Sequence, residues 1–195
     1  MRHILSRAAV VTSVVAVGVL GLGGNATAAE VVGTNHADTI VAPQTGPDKD
    51  VVTAKAGADF IKTYAGNDTV SAGLGNDTTR LGAGNDAYTE NGEGADKAIG
   101  NGGDDNLATG FGPDVANGGG GSDTIKPGAG RDLVNAGEAN DYIEMGNDGN
   151  RDVVFCGDGF DTVHYTSAAP DAKDELNDCE SVTPPVTATR GTHWD

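Results

Sequence analysis

Fourteen aspartates recur through most of this chain: Asp38, Asp50, Asp59, Asp68, Asp77, Asp86, Asp96, Asp105, Asp114, Asp123, Asp132, Asp141, Asp152 and Asp161. Their intervals are 12, 9, 9, 9, 9, 10, 9, 9, 9, 9, 9, 11 and 9. Glycine stands four and two positions ahead in seven copies: Gly73/Gly75, Gly82/Gly84, Gly92/Gly94, Gly110/Gly112, Gly119/Gly121, Gly128/Gly130 and Gly157/Gly159. Asp105 keeps Gly103 alone of that pair, and Asp59 and Asp68 keep Gly57 and Gly66. A carboxylate supplies hard oxygen donors, and glycine admits the positive φ of a tight turn that brings main-chain carbonyls close to an ion. Calcium takes six to eight oxygens, so a turn with one carboxylate and several carbonyls fills about half its shell and two stacked turns complete it. Magnesium, which keeps its waters and wants a tighter octahedron, fits less well.

Two positions beyond the Asp stands Ile40, Val52, Ile61, Val70, Leu107, Ile125, Val134, Ile143, Val154 or Val163, with Thr79, Tyr88, Ala98 and Ala116 in the remaining copies. Each unit therefore reads as a glycine turn followed by a very short strand with one inward residue, and repetition at a fixed short period predicts a solenoid. Composition agrees that helices are not the frame. The 195 residues include 31 Gly, and the 29 acidic residues are 22 Asp and only 7 Glu. With 12 Lys and Arg the formal charge is -17, which makes nucleic acid or an anionic membrane surface a poor partner and cations natural ones.

Residues 1–28 read as a secretory signal peptide: Arg2, His3 and Arg7 precede an apolar stretch from Ala8 to Leu22, and Ala26-Thr27-Ala28 forms a cleavage site. The stretch is shorter than the roughly 20 residues of a membrane span, so export to the extracellular space is expected. Without these residues Leu, Ile, Val and Phe fall to about 16%, below the roughly 20% at which a highly charged chain is expected to be disordered. Either something other than apolar burial holds the fold, or its core is too thin for composition to reveal.

The unit Gly118-Gly-Gly-Gly-Ser-Asp-Thr-Ile-Lys126 resembles the nonapeptide G-G-x-G-x-D-x-U-x of RTX, or hemolysin-type, calcium-binding repeats. The resemblance runs from about Gly33 to Val163. It implies an all-β fold, a parallel β-roll of 18-residue coils built from two nonapeptides each, with several Ca2+ ions held between neighbouring turns on one edge. Such a coil puts Asp96, Asp114 and Asp132 on one edge and Asp105, Asp123 and Asp141 on the other. Asp59 with Asp77, and Asp68 with Asp86, keep the same spacing. The residues implied as calcium ligands are Asp68, Asp77, Asp86, Asp96, Asp105, Asp114, Asp123, Asp132 and Asp141, with the turn glycines Gly73, Gly75, Gly82, Gly84, Gly92, Gly94, Gly103, Gly110, Gly112, Gly119, Gly121, Gly128 and Gly130.

Asp38 and Asp50 lack the glycine pattern, so residues 29–49 are expected to form an N-terminal cap of degenerate repeats on a roll spanning 50–164. The extra residue before Asp96 and the two before Asp152 must bulge out or break an edge. In the second insertion Asp148, Asn150 and Asp152 alternate as oxygen donors, but the glycine and final glutamate of an EF-hand loop are missing. Cys156 and Cys179 are an even pair in an exported chain and are expected to form a disulfide, closing a C-terminal cap over 165–183. The resemblance extends here to Asp178-Cys179-Glu180. Residues 184–195 read as a flexible tail.

No catalytic domain is expected. Little chain lies outside the repeats, no G-x-S-x-G elbow is present, and the abundant carboxylates sit in turns where calcium would occupy their lone pairs. The position after each Asp runs Thr69, Thr78, Ala87, Lys97, Asn106, Val115, Thr124, Leu133, Tyr142, and the third runs Ser71, Arg80, Thr89, Ile99, Ala108, Asn117, Lys126, Asn135, Glu144. Neither forms a uniform binding ladder. The expected function is that of a secreted protein that folds on binding calcium. The alternative is a cell-surface adhesion or matrix scaffold that calcium stiffens, with a protein or glycan partner that these residues do not name.

Overall fold

The computed structural model describes residues 30–42, 49–167 and 170–183, so the signal peptide and the tail expected from the sequence lie outside the described residues. The described chain is all β, with seventeen strands and no helix. Alternate strands belong to alternate sheets. The nine-stranded sheet holds β1 (Glu30–Val32), β3 (Val51–Ala56), β5 (Thr69–Leu74), β7 (Ala87–Thr89), β9 (Asn106–Ala108), β11 (Thr124–Gly128), β13 (Tyr142–Met145), β15 (Thr162–Tyr165) and β17 (Ser181–Thr183). The eight-stranded sheet holds β2 (Thr39–Val41), β4 (Phe60–Ala65), β6 (Thr78–Ala83), β8 (Lys97–Gly102), β10 (Val115–Gly120), β12 (Leu133–Glu138), β14 (Val153–Asp158) and β16 (Glu175–Asn177). Every pairing is parallel and joins a strand to the second one after it, as Val115 to Leu133 and Thr124 to Tyr142. This is the parallel β-roll of 18-residue coils that the nonapeptide implied.

The core is thin because each short strand turns only one or two residues inward. In the nine-stranded sheet Val52, Val70, Tyr88, Leu107, Ile125, Ile143 and Val163 form one buried column, facing Ile40, Ile61, Thr79, Ala98, Ala116, Val134 and Val154 from the other sheet. Stacking identical short elements accumulates enough burial for a fold that the apolar fraction alone would not support.

The insertions are absorbed without breaking either edge. β7 stops at Thr89, and the following turn is closed by the buried Glu90, whose Oε1 accepts the N–H groups of Asn91 and Gly92 while Oε2 accepts that of Gly73. β13 stops at Met145, and residues 146–152 loop out before the register resumes at Val153. Cys156 and Cys179 form the expected disulfide, with a Cα separation of 5.2 Å. It ties β14 to the segment between β16 and β17, the last strands of the two sheets.

Candidate metal centre

The repeated aspartates come together as two continuous columns, one along each edge of the roll. In each, the main-chain N–H of one Asp donates to Oδ1 of the Asp one coil later. On the first edge the chain of bonds runs Asp38, Asp59, Asp77, Asp96, Asp114, Asp132, Asp152 and Asp174, at 2.7 to 3.0 Å. On the second it runs Asp50, Asp68, Asp86, Asp105, Asp123, Asp141 and Asp161 at 2.7 to 2.8 Å, ending on Glu180 Oε2. The groupings Asp96–Asp114–Asp132 and Asp105–Asp123–Asp141 stand as the spacing placed them. Asp38 and Asp50 head the columns, and Asp174 and Glu180 end them, although no glycine pattern marks any of these four.

Each ladder bond uses one carboxylate oxygen, and along most of both columns the other is left over. The Oδ2 atoms of Asp59, Asp68, Asp77, Asp86, Asp96, Asp105, Asp114, Asp123, Asp132, Asp141 and Asp161 are buried and have no hydrogen-bond partner. A buried carboxylate oxygen without a donor is costly, because nothing replaces the water it lost. Burial accordingly pushes Asp59, Asp77, Asp86, Asp96, Asp105, Asp114, Asp123, Asp132, Asp141 and Asp161 up, the ladder bond from the preceding coil opposing it only in part. Asp59, Asp86, Asp114 and Asp123 rise to about 6, and Asp96, Asp105, Asp132 and Asp141 to about 7. Coulombic repulsion within the columns adds to the rise, as of Asp123 on Asp105 and of Asp114 on Asp96. Ionised neighbours at the ~4.8 Å spacing of paired strands repel by roughly 3 kcal/mol at an effective dielectric near 20.

Most turn glycines stand where a side chain would not fit, although Lys55, Asn101 and Ala139 take turn positions at φ 86°, 80° and 78°. Gly112 lies at φ 126°, and a Cβ there would strike the carbonyl oxygen of Gly94 in the coil before; Gly121, at φ 118°, stands in the same relation to Gly103. Carbonyl oxygens are thus stacked coil upon coil beside the carboxylate columns. Eleven of the thirteen glycines implied as ligands have positive φ, whereas Gly92 and Gly94 do not, since the turn closed by Glu90 follows a different path.

Among the described residues no three acidic, His or Cys side chains converge as a side-chain metal cluster. An ion in these turns would therefore need main-chain carbonyls to complete its shell, the division of labour expected from one Asp per turn. The unpartnered Oδ2 atoms and the stacked carbonyls fit a hard divalent cation. Around Asp148 the oxygens are engaged otherwise: Oδ2 accepts from Gly130 N–H and Asn150 Nδ2, Oδ1 from Asn150 N–H, while Asp152 joins the first column. Burial acts to raise the Asp148 carboxyl, but those hydrogen bonds together hold it below the ordinary value.

Several residues of the edges escaped the sequence reading. Glu90 stands in an inward column, where an acid breaks the apolar pattern. Asn67 and Asn85, just ahead of their aspartates, use Oδ1 to accept the N–H of Asn85 and Asp104 one coil later, at 3.0 Å each. Both were visible as types in the repeat, but their partners lie 18 or 19 residues away.

No curated protein and no solved structure matches the chain. The family model for RTX calcium-binding nonapeptide repeats, four copies long, matches at residues 44–79, 53–88, 92–116, 99–134, 110–143 and 117–152. These overlapping matches cover both edges over more than half of the chain, and on that ground the protein belongs to the family of RTX calcium-binding nonapeptide repeats.

Proposed function

We propose that this calcium-binding repeat protein is exported unfolded and folds outside the cell when calcium fills its Asp/Gly turns. The observation that carries the reading is the set of eleven buried, unpartnered Oδ2 atoms on two edges of a thin core. Neutralising them converts the largest electrostatic cost of the fold into binding energy, and binding energy gained only in the folded state is folding energy. Asp68, Asp77, Asp86, Asp96, Asp105, Asp114, Asp123, Asp132 and Asp141 would supply carboxylates, and the turn glycines would supply carbonyls. Affinities of about 10⁻⁴ to 10⁻³ M, usual for extracellular modules, would keep the chain unfolded at cytosolic calcium. The signal-like residues 1–28 and the disulfide support an oxidising, extracellular destination. The protein acts by binding, with no catalytic residue assigned.

The test is a far-UV circular dichroism titration of the disulfide-intact chain from EDTA into calcium, with magnesium as the control. A coil-to-β transition with calcium and none with magnesium is expected. A β spectrum already present in EDTA and unmoved by calcium overturns ion-driven folding.

A further inference from the structure

Because alternate repeats feed alternate sheets, the mixed sequence columns separate into two faces, and the first strands of the eight-stranded sheet gather cations beside aromatic rings on their outer face. Strands β2, β4, β6, β8 and β10 contain no Asp or Glu. Three of the nine Lys and Arg among the described residues, Lys62, Arg80 and Lys97, stand there on β4, β6 and β8, half-buried or exposed. Lys62 is paired in register with Arg80, and Lys97 with Thr78. Lys62 and Arg80 thus stand side by side at the ~4.8 Å strand spacing, and Lys97, opposite Thr78, lies on the next strand two residues out of their register. Neither of the two ion pairs among the described residues involves them. Two of them lie against aromatic rings: Lys62 Nζ is 4.2 Å from the ring centroid of Tyr64, and Arg80 Cζ 5.9 Å from that of Phe60.

We propose that this face binds an acidic polysaccharide, a uronic-acid polymer lying along the solenoid axis. In a chain of charge -17, a cluster of three cations with no carboxylate among its strands offers an anionic chain local attraction. The ring faces of Phe60 and Tyr64 offer apolar surface to sugar C–H groups, and the cations beside them offer carboxylate partners. Duplex nucleic acid fits less well. Its dense phosphates would overlie the two aspartate columns that bound the sheet about 20 Å apart. The proposal requires the folded roll and is independent of whether calcium drives the folding.

The test passes the protein, held in calcium, over immobilised hyaluronan, with neutral dextran and duplex DNA as comparison surfaces. Binding to hyaluronan is expected, with none to dextran and weaker binding to DNA. The triple variant Lys62→Gln, Arg80→Gln, Lys97→Gln should bind about tenfold more weakly or worse, a loss of about 1.4 kcal/mol. Lys126→Gln, on the opposite sheet and paired with Glu144 at 3.0 Å, should bind as the parent does. If the triple variant's circular dichroism in calcium is altered, Arg80→Gln alone takes its place. No binding to hyaluronan, equal binding to dextran, tighter binding to DNA, or undiminished binding by the variant overturns the proposal.

Discussion

The middle coils and the C-terminal cap use the same carboxylate ladder and finish it differently. From Asp59 to Asp141 each aspartate of the two columns accepts one N–H from the coil before, and its other oxygen has no partner. In the cap, Asp174 ends the first column with both oxygens engaged: Oδ1 by the N–H of Asp152 and Oδ2 by the hydroxyl of Tyr165 at 2.9 Å. Asp171 beside it accepts the N–H groups of Gly149 and Lys173. The cap supplies its own donors and a covalent tie, whereas the coils leave a row of oxygens that a cation can satisfy. Dependence on calcium should therefore be a property of the coils and not of the cap.

Removing calcium gives the largest effect expected from that contrast. In EDTA, amide hydrogen exchange should accelerate by orders of magnitude across β4 to β12, while the disulfide keeps some protection in β14 and β16. Uniform loss from end to end would mean that the cap has no stability separate from the coils.

Breaking the cap in the presence of calcium comes next. Replacing Cys156 and Cys179 by Ala opens a loop with a sequence separation of 23 residues, worth about 3 kcal/mol in the chain-entropy treatment. Urea unfolding in saturating calcium should register a loss of that order, with the calcium midpoint little changed. A midpoint raised tenfold or more would show that the cap tunes the coil sites instead of closing them.

Ladder charge sharpens the contrast through pH. The folded carboxyls lie at about 6 to 7, above their ordinary 3.8, because burial penalises the ionised form. A raised folded pKa contributes stability present in full below the unfolded value and lost as pH rises through the folded one. The calcium-free roll should thus gain stability from pH 8 down to pH 5. Calcium needs the ionised forms, so protons compete with it and its midpoint should rise over the same window. Asp114→Asn, which keeps a ladder acceptor without the charge, should stabilise the metal-free roll at pH 8 and weaken calcium binding. Thermal melts in EDTA and calcium titrations at each pH test these opposite signs; parallel shifts would remove the ladder from the binding site.

How much of this was legible in the sequence follows from the range of each interaction. The period of nine places Asp96 over Asp114 without any tertiary information, because a regular coil converts sequence spacing into stacking. The cap acids escape this logic. Asp174 pairs with a residue 22 positions back and Glu180 with one 19 back, and neither follows a glycine turn. Glu90 was equally hidden, since an extra residue before Asp96 signals an irregular turn but not the three N–H groups its carboxylate gathers. Lys62 and Arg80 share the third position after their aspartates, but a reading by consecutive repeats puts Ser71 between them; with alternate repeats assigned to separate sheets the two stand side by side, and Lys97 joins them on the next strand.

The smallest effect tests the contrast within one residue type. Tyr88 and Tyr165 are both buried inward from the nine-stranded sheet, at 1% and 2% exposure. The Tyr165 hydroxyl donates to Asp174, while the Tyr88 hydroxyl has no partner and lies under the influence of Asp96, Glu90, Asp77 and Asp114. Tyr165→Phe leaves a half-buried carboxylate oxygen without its donor, costing about 1 kcal/mol. It should also move Asp174 above its present value of about 6, because burial raises that carboxyl and the lost hydrogen bond had lowered it. Tyr88→Phe removes an unpaired polar group from the core and should be neutral or stabilising by a fraction of a kcal/mol. Urea unfolding of both variants in saturating calcium measures the difference. Equal losses would mean that the calcium-loaded coil gives Tyr88 a partner after all. The coils would then match the cap in satisfying their interior, and the difference between the two regions would narrow to the edges alone.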